Sequence, residues 1–186
     1  MIQKKPSTKF ITGIVTLLNS RIWEPHLFDS YDTPLYTATL LIPKDQAKTN
    51  EGMKIALETA VINGQALHRG GFRKKAMANT TIHDGDATGM NEIFRGCWVL
   101  NAATPTTPAI WDNTLYPITE RNLVQSGCKI RVSLIMFSYV GDQTHPTGVG
   151  CLLCNIQKAF TRNEYEVLPD VDFDKFTENF TRVFLM

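Results

Sequence analysis

The sequence has no long apolar run, few cysteines and no excess of either charge. No stretch approaches the roughly 18 apolar residues of a membrane-spanning helix, which argues against a helical membrane protein. Lys4, Lys5 and Lys9 precede an apolar stretch from Phe10 to Leu18 and imitate a secretory leader. Thr12, Gly13 and Thr16 interrupt that stretch, and no small-x-small cleavage site follows before Arg21, so it reads as a strand. The four cysteines (Cys97, Cys128, Cys151, Cys154) are too few in 186 residues for a disulfide framework, and reduced thiols in an intracellular protein are expected. The formal net charge is +1, from 19 Lys and Arg against 18 Asp and Glu. At face value this argues against a strongly basic nucleic-acid binder.

Enzyme signatures are also missing. There is no Walker loop, no H-E-x-x-H and no G-x-S-x-G. Gly148-Val149-Gly150 lacks the third glycine of a dinucleotide loop and leads into a strand. Cys151 and Cys154 have the spacing of half a zinc site, but no second pair completes it, and buried small cysteines are the simpler reading. Asp170, Asp172 and Asp174 copy the opening of a calcium loop whose sixth and twelfth places are Lys175 and Thr181 instead of Gly and Glu. The similar run at Asp84 and Asp86 has Arg95 in the twelfth place. His26, His68, His83 and His145 are scattered over loops. No metal, cofactor or catalytic residue is expected.

What is present suits a folded body: 43% apolar and 20% charged residues are enough for a core without staples. Strands are predicted over 9–18, 36–42, 94–101, 109–111, 129–140 and 149–158, the last two forming a hairpin. A long loop is predicted over 19–35. One helix is predicted after Lys44, capped by Thr49 or Asn50, with Met53, Leu57, Ala60, Val61 and Gly64 on its buried face and Gly70-Gly71 at its end. Phe72 to Asn91 shows no clear period. The absence of alternating βαβ units favours a mainly β chain with one helix, a small closed barrel over a parallel sheet. Composition then divides the chain at 158. Residues 1–158 hold sixteen Lys and Arg against twelve Asp and Glu. Residues 159–186 hold three against six and end with Phe176, Phe180, Val183, Phe184, Leu185 and Met186, an acidic tail with an apolar end. The near-neutral total is therefore a cancellation.

The basic body carries the candidate site. In the strand 129–140, Ile130, Val132, Leu134 and Met136 belong to a core, and Lys129, Arg131, Ser133, Ile135, Phe137 and Tyr139 face the other way. Cations and aromatics on one face neutralise phosphates and stack bases, the needs of a single-strand binder. The same face equally suits a sheet packed under a helix or against another subunit. His68-Arg69-Gly70-Gly71-Phe72-Arg73-Lys74-Lys75 sets four cations around one Phe in a glycine-hinged loop, and also suits a solvated helix end. Arg21 and Trp23 share the first long loop, where the indole stacks a base or anchors the loop. Trp98 shares a predicted strand face with Phe94 and Leu100 and reads as core.

Several of these segments resemble a phage and prophage family of single-stranded-DNA-binding proteins with an OB fold, formerly a domain of unknown function. The resemblance starts at Asn19-Ser20-Arg21-Ile22-Trp23-Glu24-Pro25 and Tyr36–Lys44. It continues through Asp84-Gly85-Asp86, Gly96–Asn101, Ser126-Gly127-Cys128 leading into Arg131-Val132-Ser133, and Gly148–Lys158. Its order and spacing cover roughly 9–158. It implies a five-stranded Greek-key barrel that coats single-stranded DNA in replication, recombination or repair, in the cytoplasm of a bacterial host. Replication or recombination proteins reached through the tail, as acidic tails of single-strand binders recruit them, and further copies of the chain are the other expected partners, although the apolar end of this tail departs from a purely disordered one. The site expected from the residues themselves is Arg21, Trp23, Arg69, Phe72, Arg73, Lys74, Lys75, Lys129, Arg131, Phe137 and Tyr139. A virion structural or assembly protein using the same sheet face is the alternative. A metal-dependent nuclease is disfavoured, because the only acid clusters are one loop and the tail.

Overall fold

The computed structural model describes residues 7–28, 33–68, 71–141 and 146–159. The elements, in chain order, are β1 (Lys9–Ile11), β2 (Val15–His26), β3 (Leu35–Pro43), α1 (Ala47–Leu67), α2 (Phe72–Ala78), β4 (Ile82–Asp84), β5 (Cys97–Thr104), β6 (Ala109–Trp111), β7 (Lys129–Tyr139) and β8 (Gly148–Lys158). Single 3-10 turns lie at Glu92–Phe94 and Arg121–Leu123.

Five strands close a barrel. The sheet runs β7-β2-β3-β5-β8, and an antiparallel β7–β8 pairing joins its ends. The β5–β8 contact is parallel, at Ala103 and Leu152, and the other barrel pairings are antiparallel. This is the topology of the five-stranded OB barrel. The short strands are additions: β1 lies on β7, β4 on β5 and β6 on β8.

Each barrel strand turns one apolar row inward. Val15, Leu17 and Ile22 come from β2, Ala38, Leu40 and Ile42 from β3, and Leu100 and Ala102 from β5. Ile130, Val132, Leu134 and Met136 come from β7, and Val149, Cys151, Leu153 and Ile156 from β8. In β8 the inward row switches from odd to even numbers because a bulge at Cys154 inserts one residue: Leu134 faces Leu153, but Ser133 faces Asn155.

The helix α1 closes one end with Met53, Ala56, Ala60, Val61 and Gly64. Gly64 is needed there, because a Cβ would stand 2.3 Å from Ser138 Oγ and 2.4 Å from Phe72 Cζ. The helix starts three or four residues earlier than predicted, at Ala47, with Gln46 in the cap position and no side-chain cap. Thr49 instead donates to Gln46 Oε1 and accepts from the Gly13 N–H, so it ties the helix start to the β1–β2 break.

Three other expectations change. The predicted strand 9–18 is two strands, broken at Thr12–Ile14. The first half of the predicted loop 19–35 is strand, because β2 continues to His26 through register shifts near Asn19, which has φ of 42°. Phe94 is not in a strand. It ends a 3-10 turn and joins Leu18, Leu41 and Val99 in a second apolar cluster outside the barrel.

That second cluster matters for function. It covers part of the outer face of β2, β3 and β5. Leu35 and Ala103 are covered in turn by Phe28, and Thr39 and Asn101 are buried and hydrogen-bonded to each other at 2.8 Å. A salt-bridge knot holds the cover down: Lys44 bonds Asp84 and Asp86 and lies 4.7 Å from the centre of the Trp98 ring. The hydrogen bonds to the two carboxylates raise the lysine's pKa and lower theirs. Trp98 packs against the barrel core beside Leu100, as expected, though without Phe94. The second and third strands of an OB barrel, here β3 and β5, form its usual binding face. Here much of that face is occupied by the chain itself.

Candidate nucleic-acid interface

The outward rows of β7 and β8 remain. Register fixes which side chains lie together, because directly paired residues share a face. Tyr139 pairs with Gly148, Phe137 with Gly150, Ile135 with Leu152 and Lys9, Ser133 with Asn155 and Ile11, and Arg131 with Gln157. Gln157 pairs in turn with Trp111 on β6. The predicted alternation along β7 holds from Lys129 to Phe137, with buried even-numbered residues from Ile130 to Met136 and half-buried or exposed odd-numbered ones. The face is about 33 Å long, ten steps of about 3.3 Å.

Two glycines shape its aromatic end. A Cβ on Gly150 would stand 2.3 Å from Phe137 Cζ, so the Phe137 ring lies across the strand over bare backbone. A Cβ on Gly148 would stand 2.6 Å from Tyr139 Oη. Rings that lie down on a sheet present a face, the geometry a base needs for stacking. The Tyr139 hydroxyl accepts from Asn79 Nδ2 at 3.1 Å. Burial raises its pKa, so it stays a neutral phenol. The two residues keep their predicted place as a pair.

The cationic end is built by Arg131 and Lys129. Arg131 is exposed, and its Nε–H donates to the Thr12 carbonyl at 3.5 Å. That contact steers the guanidinium and uses none of its terminal N–H groups, which suit a phosphate. Lys129 donates to Thr16 Oγ1 at 2.7 Å, one of the three donors an ammonium has. Lys9 adds an exposed cation beside Ile135.

The basic segment after α1 is not the predicted loop. Phe72–Ala78 is a helix, α2, entered through Gly71 at φ of 70°. Phe72 is 5% exposed and fills the space that Gly64 leaves. It has no ring face to offer a base, because its burial completes the contact between α1 and α2, and it leaves the candidate set. Arg73, Lys74 and Lys75 are exposed on α2. The chain leaving α2 runs along β8: Thr80 bridges Val149, and the Val149 N–H donates to the Asn79 carbonyl at 3.0 Å. These three cations therefore stand near the Tyr139 end of β7. Arg69 lies outside the described residues.

The other two candidates lie beyond the Lys129 end of that face. Arg21 is exposed on β2 opposite Thr37, five residues past Thr16, where the pairing of β2 with Lys129 of β7 ends. Trp23 is half-buried, its indole N–H fixed on the Val124 carbonyl at 2.9 Å. It packs against the barrel core, so the anchoring alternative describes it, although it also lines a cleft shared with Trp111. Sequence reasoning missed Lys9, Ile11, Trp111 and Gln157. A cation or aromatic on a short apolar strand was the only signal available for Lys9 and Trp111.

Among the described residues no group of three or more His, Cys, Asp or Glu is placed to hold a metal ion. Cys151 is fully buried in the core and Cys154 half-buried at the bulge, and burial raises both thiols. No helix among the described residues is long and apolar enough to cross a membrane.

The family of the Enterobacter phage Enc34 ssDNA-binding protein matches this chain over residues 8–164. The chain belongs to that family. The Enc34 single-stranded DNA-binding protein in complex with ssDNA is similar in fold, with a TM-score of 0.71 at 16% identity, over 89% of this chain and 97% of that one. Another structure of the Enc34 protein gives 0.70 at 18%, over 95% and 97%. The bacteriophage T7 single-stranded DNA binding protein gp2.5 gives 0.60 at 13%, over 89% and 91%. At these identities the likeness is one of fold, and it agrees with the barrel closure described above. No curated protein matches the chain. The Enc34 family match extends six residues past β8 and leaves most of the acidic segment outside it.

Proposed function

We propose that this chain is a non-enzymatic, sequence-tolerant single-stranded-DNA-binding protein that coats DNA during phage replication, recombination or repair in the cytoplasm of the host. The outward face of β7 and β8 is the observation that carries the reading. Phe137 and Tyr139 lie over glycines at one end, Arg131 and Lys129 stand at the other, and the cations of α2 extend the aromatic end. Membership of the Enc34 family supports it, as does the covering of the β3–β5 face by the chain's own residues.

The strand runs along β7. Its bases stack on Phe137 and Tyr139, and its phosphates meet Arg131, Lys129 and the α2 cations. Neither kind of contact reads a base edge, so affinity is tolerant of sequence. Fluorescence or anisotropy titration with oligo-dT at low salt tests the reading. Binding that weakens as salt rises is expected, since each phosphate neutralised releases counterion. No binding, together with stable oligomers indifferent to DNA, would favour the subunit-contact alternative.

Residues 159–186 supply a further expectation. They carry six acids against three bases, and the rest of the chain sixteen bases against twelve acids. Such a tail competes with DNA for the basic face and recruits replication or recombination proteins. Removing residues 159–186 is expected to tighten oligo-dT binding severalfold at low salt, with the gain shrinking as salt rises. Unchanged affinity would make these residues part of the fold or of a subunit contact.

A further inference from the structure

At the cationic end of the face a cleft of about 400 Å³ opens between Trp23 on β2, Trp111 on β6 and the segment around Pro117. We propose that this cleft is a terminal base-stacking subsite: it takes one nucleobase, and the neighbouring phosphate sits on Arg131. The proposal rests on the single-strand reading above and adds to it a site at the far end from Phe137.

The occupant follows from the lining. Ile22, Trp23, Pro108, Trp111, Pro117 and Ile118 are its main walls, with threonine hydroxyls at Thr107 and Thr119, and no charged side chain lines it. A phosphate would lose its hydration there without gaining a partner. A flat, neutral, π-faced group loses little and gains two indoles. The adjacent cavity beyond Pro117–Thr119 is different: Lys129 and Lys158 share it with Asp112 and Glu120, and charges of both signs line it.

Position links the cleft to the strand path. Ile110 pairs with Ile156, and both point into the core, so Trp111 points outward beside Gln157. Gln157 lies beside Arg131. Trp111 and Arg131 are thus two strand spacings apart, roughly 10 Å. A base on Trp111 and its phosphate on Arg131 is a single nucleotide's span.

The walls are also held in place. The Trp23 indole is fixed on the Val124 carbonyl. The strand β6 is clamped on both edges, by β8 and by the Ile118 N–H donating to the Ile110 carbonyl at 2.8 Å. The turn that returns the chain to Pro117 is closed by Asp112. Its carboxylate accepts from the Thr114 N–H at 2.7 Å, the Thr114 hydroxyl at 2.8 Å and the Tyr116 N–H at 2.9 Å. A cleft that need not rearrange binds without an ordering cost.

The test uses the full chain, labelled oligo-dT, and the variants Trp111→Ala, Trp111→Phe and Arg131→Ala. Trp111→Ala should weaken binding about tenfold and leave the salt slope unchanged, because stacking releases no counterion. Arg131→Ala should lower affinity and flatten the slope. Trp111→Phe keeps a ring, so it should bind within about threefold of the parent while losing the share of the DNA-induced quenching of tryptophan emission that Trp111 contributes, Trp23 keeping its own. That measurement stands even where the alanine variant folds poorly. If the parent binds but Trp111→Ala binds equally well, and quenching is intact in Trp111→Phe, the subsite is wrong and the single-strand reading survives. The subsite is equally wrong if something other than DNA, such as the apolar end of residues 159–186, fills the cleft. If the parent does not bind oligo-dT at all, the single-strand reading itself has failed.

Discussion

Phe72→Ala is expected to remove about 3–5 kcal/mol of folding stability, the usual cost of emptying a buried phenylalanine site. Phe137→Ala is expected to cost far less stability and about 1–3 kcal/mol of oligo-dT binding, a drop of roughly 5- to 150-fold. The contrast follows from where each ring lies. Phe72 is 5% exposed, and its Cζ occupies the space of the Cβ that Gly64 lacks, so deleting it opens a cavity between two helices and β7. Phe137 is half-buried on the outer row, its ring over the backbone of Gly150. Urea unfolding followed by far-ultraviolet circular dichroism measures the first effect, and anisotropy with labelled oligo-dT measures the second. Phe72→Ala that unfolds at the parent's midpoint but binds poorly would return Phe72 to the site. Phe137→Ala that binds like the parent would remove the platform on which the proposed function depends.

The pair also shows what a sequence can and cannot disclose. The face of β7 was legible because a barrel strand buries only one side. Ile130, Val132, Leu134 and Met136 must alternate with residues that tolerate water, and period two reports that directly. The buried face of α1 was legible for the same reason at period 3.6. Phe72 was not. Seven residues of helix bury only Phe72 and Ala76, too few to show a period, and the two glycines before them read as a hinge. The extension of β2 to His26 was hidden by residues that usually end strands. Asn19 takes positive φ and Pro25 lies near a strand end, so the chain bends without leaving the sheet. Trp111 was hidden by distance: β6 is three residues long and is specified by a parallel pairing with β8 more than forty residues away. Local pattern carries the rows of a barrel. It does not carry which short segments dock beside them, and those segments decide where the face ends.

The triple variant Arg73→Ala, Lys74→Ala, Lys75→Ala is expected to flatten the plot of log affinity against log salt by up to about 2. Each phosphate contact on a single strand contributes a slope near 0.7, and three cations are removed. All three side chains are exposed, so folding stability should change by less than about 1 kcal/mol, the loss of Lys75 near the end of α2 included. The expectation rests on the path of the chain. The residues after α2 lie along β8 at Val149, and Asn79 bonds the Tyr139 hydroxyl, so the helix stands at the end of the aromatic platform. Its cations can then hold the phosphates that leave the bases stacked on Phe137 and Tyr139. Titrations between about 50 and 200 mM salt measure the slope over a range in which such contacts dominate. A slope equal to the parent's, with Arg131→Ala still flattening it, would end the strand path at Tyr139 and leave α2 as a solvated helix. A slope flattened by both variants, additively, would place the two cationic clusters at opposite ends of one bound strand, because Arg131 and Tyr139, eight steps or about 26 Å apart along β7, leave the clusters no shared partner through which to couple.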